Sequence, residues 1–232
     1  MSRNPPLLIE LFGQPGAGKS TLVRAANNSK SWLENLSDGW RQLSLPQKAG
    51  FVARSAADGS CISAAVKLVR GARLHNRDSL SRLLRLLVKS HWVRSRSGIF
   101  VLQEGQLQDL WSILYSAGQT HPDPRLLAPL IKCLYRGLDV QIVLLDIGPD
   151  EAFARIRARA QGRSRFDRLP DDQLRARLAA TAQLPHMLAE AAMLAGLKVE
   201  RLDAALPIET AAARLRSMIG QLDAGERLSA NA

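Results

Sequence analysis

Gly13-Gln14-Pro15-Gly16-Ala17-Gly18-Lys19-Ser20 has the spacing glycine, four residues, glycine, lysine, hydroxyl. Glycines at those positions let the backbone turn tightly enough for successive N–H groups to converge on one point. An oxyanion placed there meets several donors and the positive end of the helix that follows. Lys19 is then placed to reach the β- and γ-phosphates of a nucleoside triphosphate, and the Ser20 hydroxyl to bind magnesium. Thr21, one residue into the helix, is suited to the α-phosphate. Gly13, Gln14, Pro15, Gly16, Ala17, Gly18, Lys19, Ser20 and Thr21 are therefore read as a binding loop for ATP with Mg2+.

Phosphate chemistry at such a loop needs an acid at a strand end, to hold the metal's surroundings or to take a proton from the attacking hydroxyl. Two acids come directly after apolar runs: Glu104 after Ile99-Phe100-Val101-Leu102-Gln103, and Asp146 after Gln141-Ile142-Val143-Leu144-Leu145. The pattern alone does not separate them, because an acid in this place also serves as a helix cap or turn former. Their C-terminal neighbours differ. Ile147-Gly148-Pro149-Asp150-Glu151 reads as a turn and helix start, which suits a structural Asp146, whereas Gly105 leaves the backbone beside Glu104 open to a ligand. Glu104 is the favoured catalytic and, with Ser20, metal-side residue.

A third group is the arginine-dense stretch from Arg155 to Arg168, helical at first and loosening around Gly162. Arg155 and Arg159 share a helix face, and Arg163, Arg165 and Arg168 fall in a loop from which guanidinium groups can neutralise charge on a transferring phosphoryl group. Arg159, Arg163 and Arg165 join Lys19 and Glu104 as candidate catalytic residues, with residues 155–172 as a lid. The competing reading is a solvated basic surface or an RNA contact.

The elements that must position these groups alternate. Apolar runs at Leu7 to Phe12, Trp40 to Leu45, Gly98 to Leu102, Val140 to Asp146 and Leu197 to Leu202 read as five strands. Helical spacing covers Lys19 to Asn27, Ser79 to Val93, Gln106 to Ala117, Pro124 to Tyr135, Pro149 to Ala160, Asp171 to Ala182, Pro185 to Ala195 and Ile208 to Leu222. Strands separated by helices predict an α/β fold with a parallel sheet covered on both faces. The 232 residues suit one domain, spanning 1–222, with 223–232 as a flexible polar tail.

Hydrophobic residues make up 46% and charged residues 23%, ordinary for a globular chain, and no apolar stretch is long enough to cross a bilayer. The net charge of +11 comes mostly from arginine scattered singly. Without a run of basic residues, a nucleic-acid tail is not indicated. Cys61 and Cys133 lie far apart with no metal-ligand spacing and read as reduced core residues of a cytoplasmic protein.

In order of parts the chain resembles the thymidylate kinase and deoxynucleoside kinase branch of the P-loop kinases. The loop Gly13 to Thr21 carries the resemblance, with Phe100-Val101-Leu102-Gln103-Glu104-Gly105, and with Leu144-Leu145-Asp146-Ile147 through Pro149, Arg155, Arg159 and Arg165-Phe166-Asp167-Arg168. The resemblance implies a three-layer P-loop NTPase fold, a five-stranded parallel sheet ordered 2-3-1-4-5, and an arginine-rich lid from Arg159 and the Arg163 to Arg168 loop. It also implies a small acceptor bound by residues 32–97, among them Trp40, Arg73, His75, Arg77, Arg85, His91 and Trp92. A homodimer is compatible with it. The chain departs from the family at acceptor recognition: Glu104-Gly105-Gln106 replaces an Asp-Arg-aromatic segment, so thymidylate is not specified. The function expected is a magnesium-dependent kinase moving the γ-phosphoryl of ATP to a nucleotide, nucleoside or sugar-like alcohol. The alternative is an NTPase or nucleotide switch acting on a protein or nucleic-acid partner.

Overall fold

The computed structural model describes residues 7–26, 42–159 and 166–230, with 222–230 described by backbone alone. Strand β1 (Leu7–Gly13) runs into the glycine loop and helix α1 (Lys19–Ala26). Among the described residues three helices follow, α2 (Leu45–Ala57), α3 (Gly59–Gly71) and α4 (Arg77–Arg94), before β2 (Ile99–Leu102), α5 (Gln106–Ser116) and α6 (Pro124–Leu134). The chain continues through β3 (Asp139–Asp146), α7 (Pro149–Arg157), α8 (Asp171–Thr181), α9 (Leu184–Leu194), β4 (Lys198–Asp203) and α10 (Ile208–Ala230).

The strands form one parallel sheet in the order β2-β1-β3-β4. Every residue of β1 is buried, as expected of a central strand whose apolar run is continuous and whose two faces are both covered. Helix α1 packs with α10, while α9 packs with α6 and α5, and α3 packs on α6. Glu10 is the one acid in β1, and its side chain is 0% exposed.

Four strands, not the expected five, are present among the described residues, in the expected relative order. Part of the Trp40 to Leu45 run lies outside the described residues, and within the rest Leu45 opens α2. The reason is local: Ser44 and Gln47 form a capping box, in which Ser44 N–H donates to Gln47 Oε1 at 2.9 Å. Helix α10 runs past its expected end at Leu222 to Ala230, because Ala, Glu, Arg and Leu in that stretch favour helix and Gly225 alone costs only about 1 kcal/mol. The cysteines are not reduced: packing of α3 on α6 brings Cys61 and Cys133 to a Cα separation of 5.5 Å, and a disulfide joins them. Their sequence separation of 72 residues hides that proximity.

The charge is uneven. Between residues 42 and 97 there are eleven Lys and Arg against two Asp and no Glu, so this helical region carries +9 of the chain's +11. No described helix is long and apolar enough to cross a membrane.

Candidate active site

The glycine loop connects the end of β1 to the start of α1. Gly16 has φ +94°, and a Cβ there would lie 2.7 Å from the Ala152 carbonyl oxygen, so the loop takes its path only because this residue has no side chain. Gln14 serves as an anchor: its side chain is buried and Nε2 donates to the Leu178 carbonyl of α8 at 2.6 Å. Gln108 on α5 is placed at the other side, where its Oε1 faces Gly13 N–H at 3.4 Å.

Lys19 Nζ donates to the Gly13 carbonyl at 3.0 Å and lies 3.5 Å from the Gln14 carbonyl. Burial under the loop pushes its pKa down to about 8, against the pull of the Glu104 negative charge and with that of the Arg159 positive charge. Lys19 therefore senses both Glu104 and Arg159, groups brought to it from two other stretches of the chain.

They line a cleft of about 740 Å³ whose wall includes Gly16, Gly18, Ser20 and Thr21 from the loop and Gln108, Asp109, Trp111 and Ser112 from α5. Arg24, Arg82 and Phe166 complete it. Arg82 is held by Asp78 at 2.9 Å and donates to Ser112 Oγ at 2.9 Å, and Asp109 is paired with Lys89 at 2.8 Å. The Trp111 ring stacks on Tyr115 with centroids 5.2 Å apart, and Phe166 lies against both. A second recess of about 400 Å³ shares Gly16, Gly18, Thr21 and Arg159 and is bounded by Leu145, Arg155, Ala204, Leu206 and Ile208. Arg159 thus borders both spaces.

No family model and no curated protein matches the chain. Among solved structures it matches the deoxyadenosine kinase of M. mycoides bound to dCMP and a flexible dCDP, at 13% identity and a TM-score of 0.51 over 93% of this chain and 99% of that one. The same enzyme with dCTP matches at 14% identity and a TM-score of 0.50, over 92% and 99% of the two chains. The fold is that of the P-loop kinases.

Within this fold the expected site residues divide. The whole loop, Glu104 and Arg159 stand together; Arg163 and Arg165 lie outside the described residues. Arg155 is committed elsewhere, to Glu151 at 2.5 Å and to the Ala204 carbonyl at 2.7 Å. Asp146 does not line the cleft; it pairs with His186 at 3.2 Å and its carbonyl accepts from Ala204 N–H at 2.8 Å. Of the acceptor-region residues singled out from sequence, Trp40 lies outside the described residues and the others do not line the cleft: Arg73, His75, Arg77 and Arg85 are exposed elsewhere, Trp92 is in the core and His91 is 3.7 Å from Asp58. Among the described residues of that region Arg82 lines the cleft, and Gln108, Asp109, Trp111 and Ser112 come from α5. Helical spacing after Glu104 carried that signal, since positions 108, 109 and 112 share one face of a helix beginning at Gln106.

Among the described residues, Asp58, Cys61 and Cys133 are the group with metal-ligand spacing, but the two sulfurs are bonded to each other and none of the three lines the cleft. In the cleft, the Ser20 and Thr21 hydroxyls and the Glu104 and Asp109 carboxylates are hard oxygen donors of the kind magnesium prefers.

Proposed function

We propose that this protein is an ATP-dependent phosphotransferase that moves the γ-phosphoryl group to a hydroxyl of a small acceptor. The observation that carries this reading is the opening of the phosphate loop, with Lys19 and Glu104 in electrostatic contact, onto a 740 Å³ cleft that has an aromatic and polar wall of its own on α5. A switch that only hydrolyses its nucleotide needs no such second compartment. The triphosphate lies along residues 13–21, and the recess beside Leu145, Ala204 and Leu206 takes the base. Ser20 and Glu104 would hold magnesium, which would supply charge neutralisation between the β- and γ-phosphates.

Transfer forms a bond from the acceptor oxygen to the γ-phosphorus and breaks the bond to the oxygen that leaves with ADP. Glu104 takes the acceptor's proton, Lys19 neutralises the β- and γ-oxygens, and Arg159 faces the same charge from the other side. Catalysis here is mostly alignment plus preorganised charge. Arg163 and Arg165 belong to the same reading as lid cations.

The likeness to a deoxyadenosine kinase puts nucleosides first among acceptors to try, followed by nucleotides and sugar-like alcohols. The experiment is ADP release by the wild type and by Lys19→Ala, with magnesium, across pools of these acceptors. One pool that accelerates ADP release by orders of magnitude in the wild type alone supports the reading. Slow turnover indifferent to every pool would replace it with the nucleotide switch.

A further inference from the structure

Glu10 sits in register between Leu102 of β2 and Ile142 of β3, fully enclosed. A carboxylate in such a place is costly unless its lone pairs are used. Here Oε2 accepts from Gln106 N–H at 2.9 Å and from the Tyr135 hydroxyl at 2.6 Å, while Oε1 accepts from Leu107 N–H at 2.7 Å and Gln108 N–H at 3.4 Å. Gln106, Leu107 and Gln108 open α5, and the first N–H groups of a helix have no partner within it. Glu10 therefore caps α5 from a neighbouring strand. The residue at the ordinary cap position is Gly105, and it is glycine for a reason: a Cβ there would lie 2.1 Å from Glu10 Cδ.

This arrangement ties the two sides of the cleft together. Glu104 lies immediately before the capped turn, and the turn and its continuation place Gln108, Asp109 and Trp111 on the cleft wall. Three residues along β1 from Glu10, Gly13 begins the phosphate loop and turns its N–H to Gln108. One buried side chain thus sets the distance between the acid and the loop.

We propose that Glu10 is a positioning residue for phosphoryl transfer, which as an anion locks the Glu104–Gln108 turn to the strand bearing the phosphate loop and on protonation releases it. This rests on the phosphotransferase reading. All four neighbours of Glu10 present donors, so only the ionised form accepts from every one; a protonated carboxyl has to turn an O–H toward a donor. Burial pushes Glu10 up to about 7, while the hydrogen bonds from Tyr135, Leu107 and Gln106 and the positive charge of Lys89 pull it down. The ionisable groups around it are Tyr135, whose phenol burial holds well above its usual value, Lys89 on α4, and Asp109 on α5, the partner of Lys89. The turn therefore tightens as pH rises through neutrality.

Glu10→Gln keeps the size and removes the charge, and places an amide NH2 among donors. It is expected to lower kcat by about tenfold or more while changing KM for ATP by less than about threefold, and to abolish the rise in kcat expected of the wild type between about pH 6 and 8. Tyr135→Phe removes one donor and leaves the rest, so it shifts the midpoint of that rise upward without abolishing it. Gly105→Ala is damaging in the wild type but adds less than about twofold in a Glu10→Ala background, because the space it needs is then free. A Glu10→Gln protein that loses thermal stability yet keeps the wild-type pH profile would make the residue merely structural and overturn the proposal.

A measurement that needs no acceptor separates this from the functional reading. In the free protein the Gln106 and Leu107 amide protons are expected to titrate by NMR with a midpoint near 7, and not to do so in Glu10→Gln. Amides indifferent to pH overturn the proposal whatever the enzyme does. Titrating amides in a protein that phosphorylates nothing would remove the phosphotransferase reading and leave Glu10 as the lock on the turn.

Discussion

Strands β2 and β3 both flank β1 and both lead to an acid, two residues past the end of β2 and at the last residue of β3, yet the two ends are built for opposite purposes. β3 stays paired with β1 as far as Gly13, opposite Leu145, and the turn and helix beyond it press on the glycine loop. β2 stops at Leu102, opposite Glu10, so β1 outruns it by three residues. The space above that shorter end is the cleft, and Glu104 lines it; beyond β3 the Ala152 backbone packs on Gly16, and Asp146 turns to His186. Adjacency to the loop strand, which both acids have, does not decide which one reaches the cleft. Strand length does.

Substitutions at the two strand ends test this contrast. The reference point is Lys19→Ala, which removes the cation shared by any phosphate chemistry at the loop and is expected to lower kcat/KM by about a thousandfold or more in an ADP-release assay. Next, Glu104→Gln is expected to reduce kcat by about 10²–10⁴ with little change in ATP affinity by equilibrium titration. A similar loss in Asp146→Asn would erase the distinction between the strand ends. Arg159→Ala, on the border of both recesses, is expected to lose about tenfold in kcat.

The pH dependence gives a subtler test. Because Lys19 titrates near 8 in the folded protein, kcat/KM for ATP is expected to fall as pH rises above that value, the neutral amine having lost its attraction for phosphate. Lys19→Arg should abolish that falling limb while leaving the Glu10-dependent limb below it. Stability moves the other way: the folded protein releases the Lys19 proton near 8 and the unfolded chain near 10.5, so this group's contribution to folding rises with pH across that window. The smallest effect belongs to Asp146→Asn, which breaks a partly exposed pair and is expected to cost about 0.5 kcal/mol in denaturant unfolding with activity intact.

The glycine-loop half of the site was legible because its pattern is written in consecutive residues: Gly13 to Thr21 needs only a strand before it and a helix after it. Most helices were legible by apolar period, with α6 expected at Pro124 to Tyr135 and found at Pro124–Leu134. Helix α2 gave no such period, because Ser55 is its only buried residue. Helix α3 did carry one, at Cys61, Ala64, Ala65 and Leu68, but in residues too small to stand out. The capping signature of Ser44 and Gln47 was also present and was masked by the neighbouring apolar residues Trp40, Leu43 and Leu45. The wall of the cleft depended on the rotational phase of α5. Glu10 was the hardest to see, since one acid within a strand run gives no sign that its partners lie some 96 and 125 residues away.

The crowding of positive charge into residues 42–97 has a kinetic consequence. ATP and any phosphorylated product are polyanions, and a region holding +9 in about a quarter of the chain sets up an attractive potential well before contact. At physiological ionic strength that potential reaches about 8 Å from the surface, and at tenfold lower salt roughly three times as far. Nucleotide capture should therefore be a diffusional encounter accelerated by dilution of the buffer, and release of ADP correspondingly retarded, so that the step limiting turnover can change with salt alone.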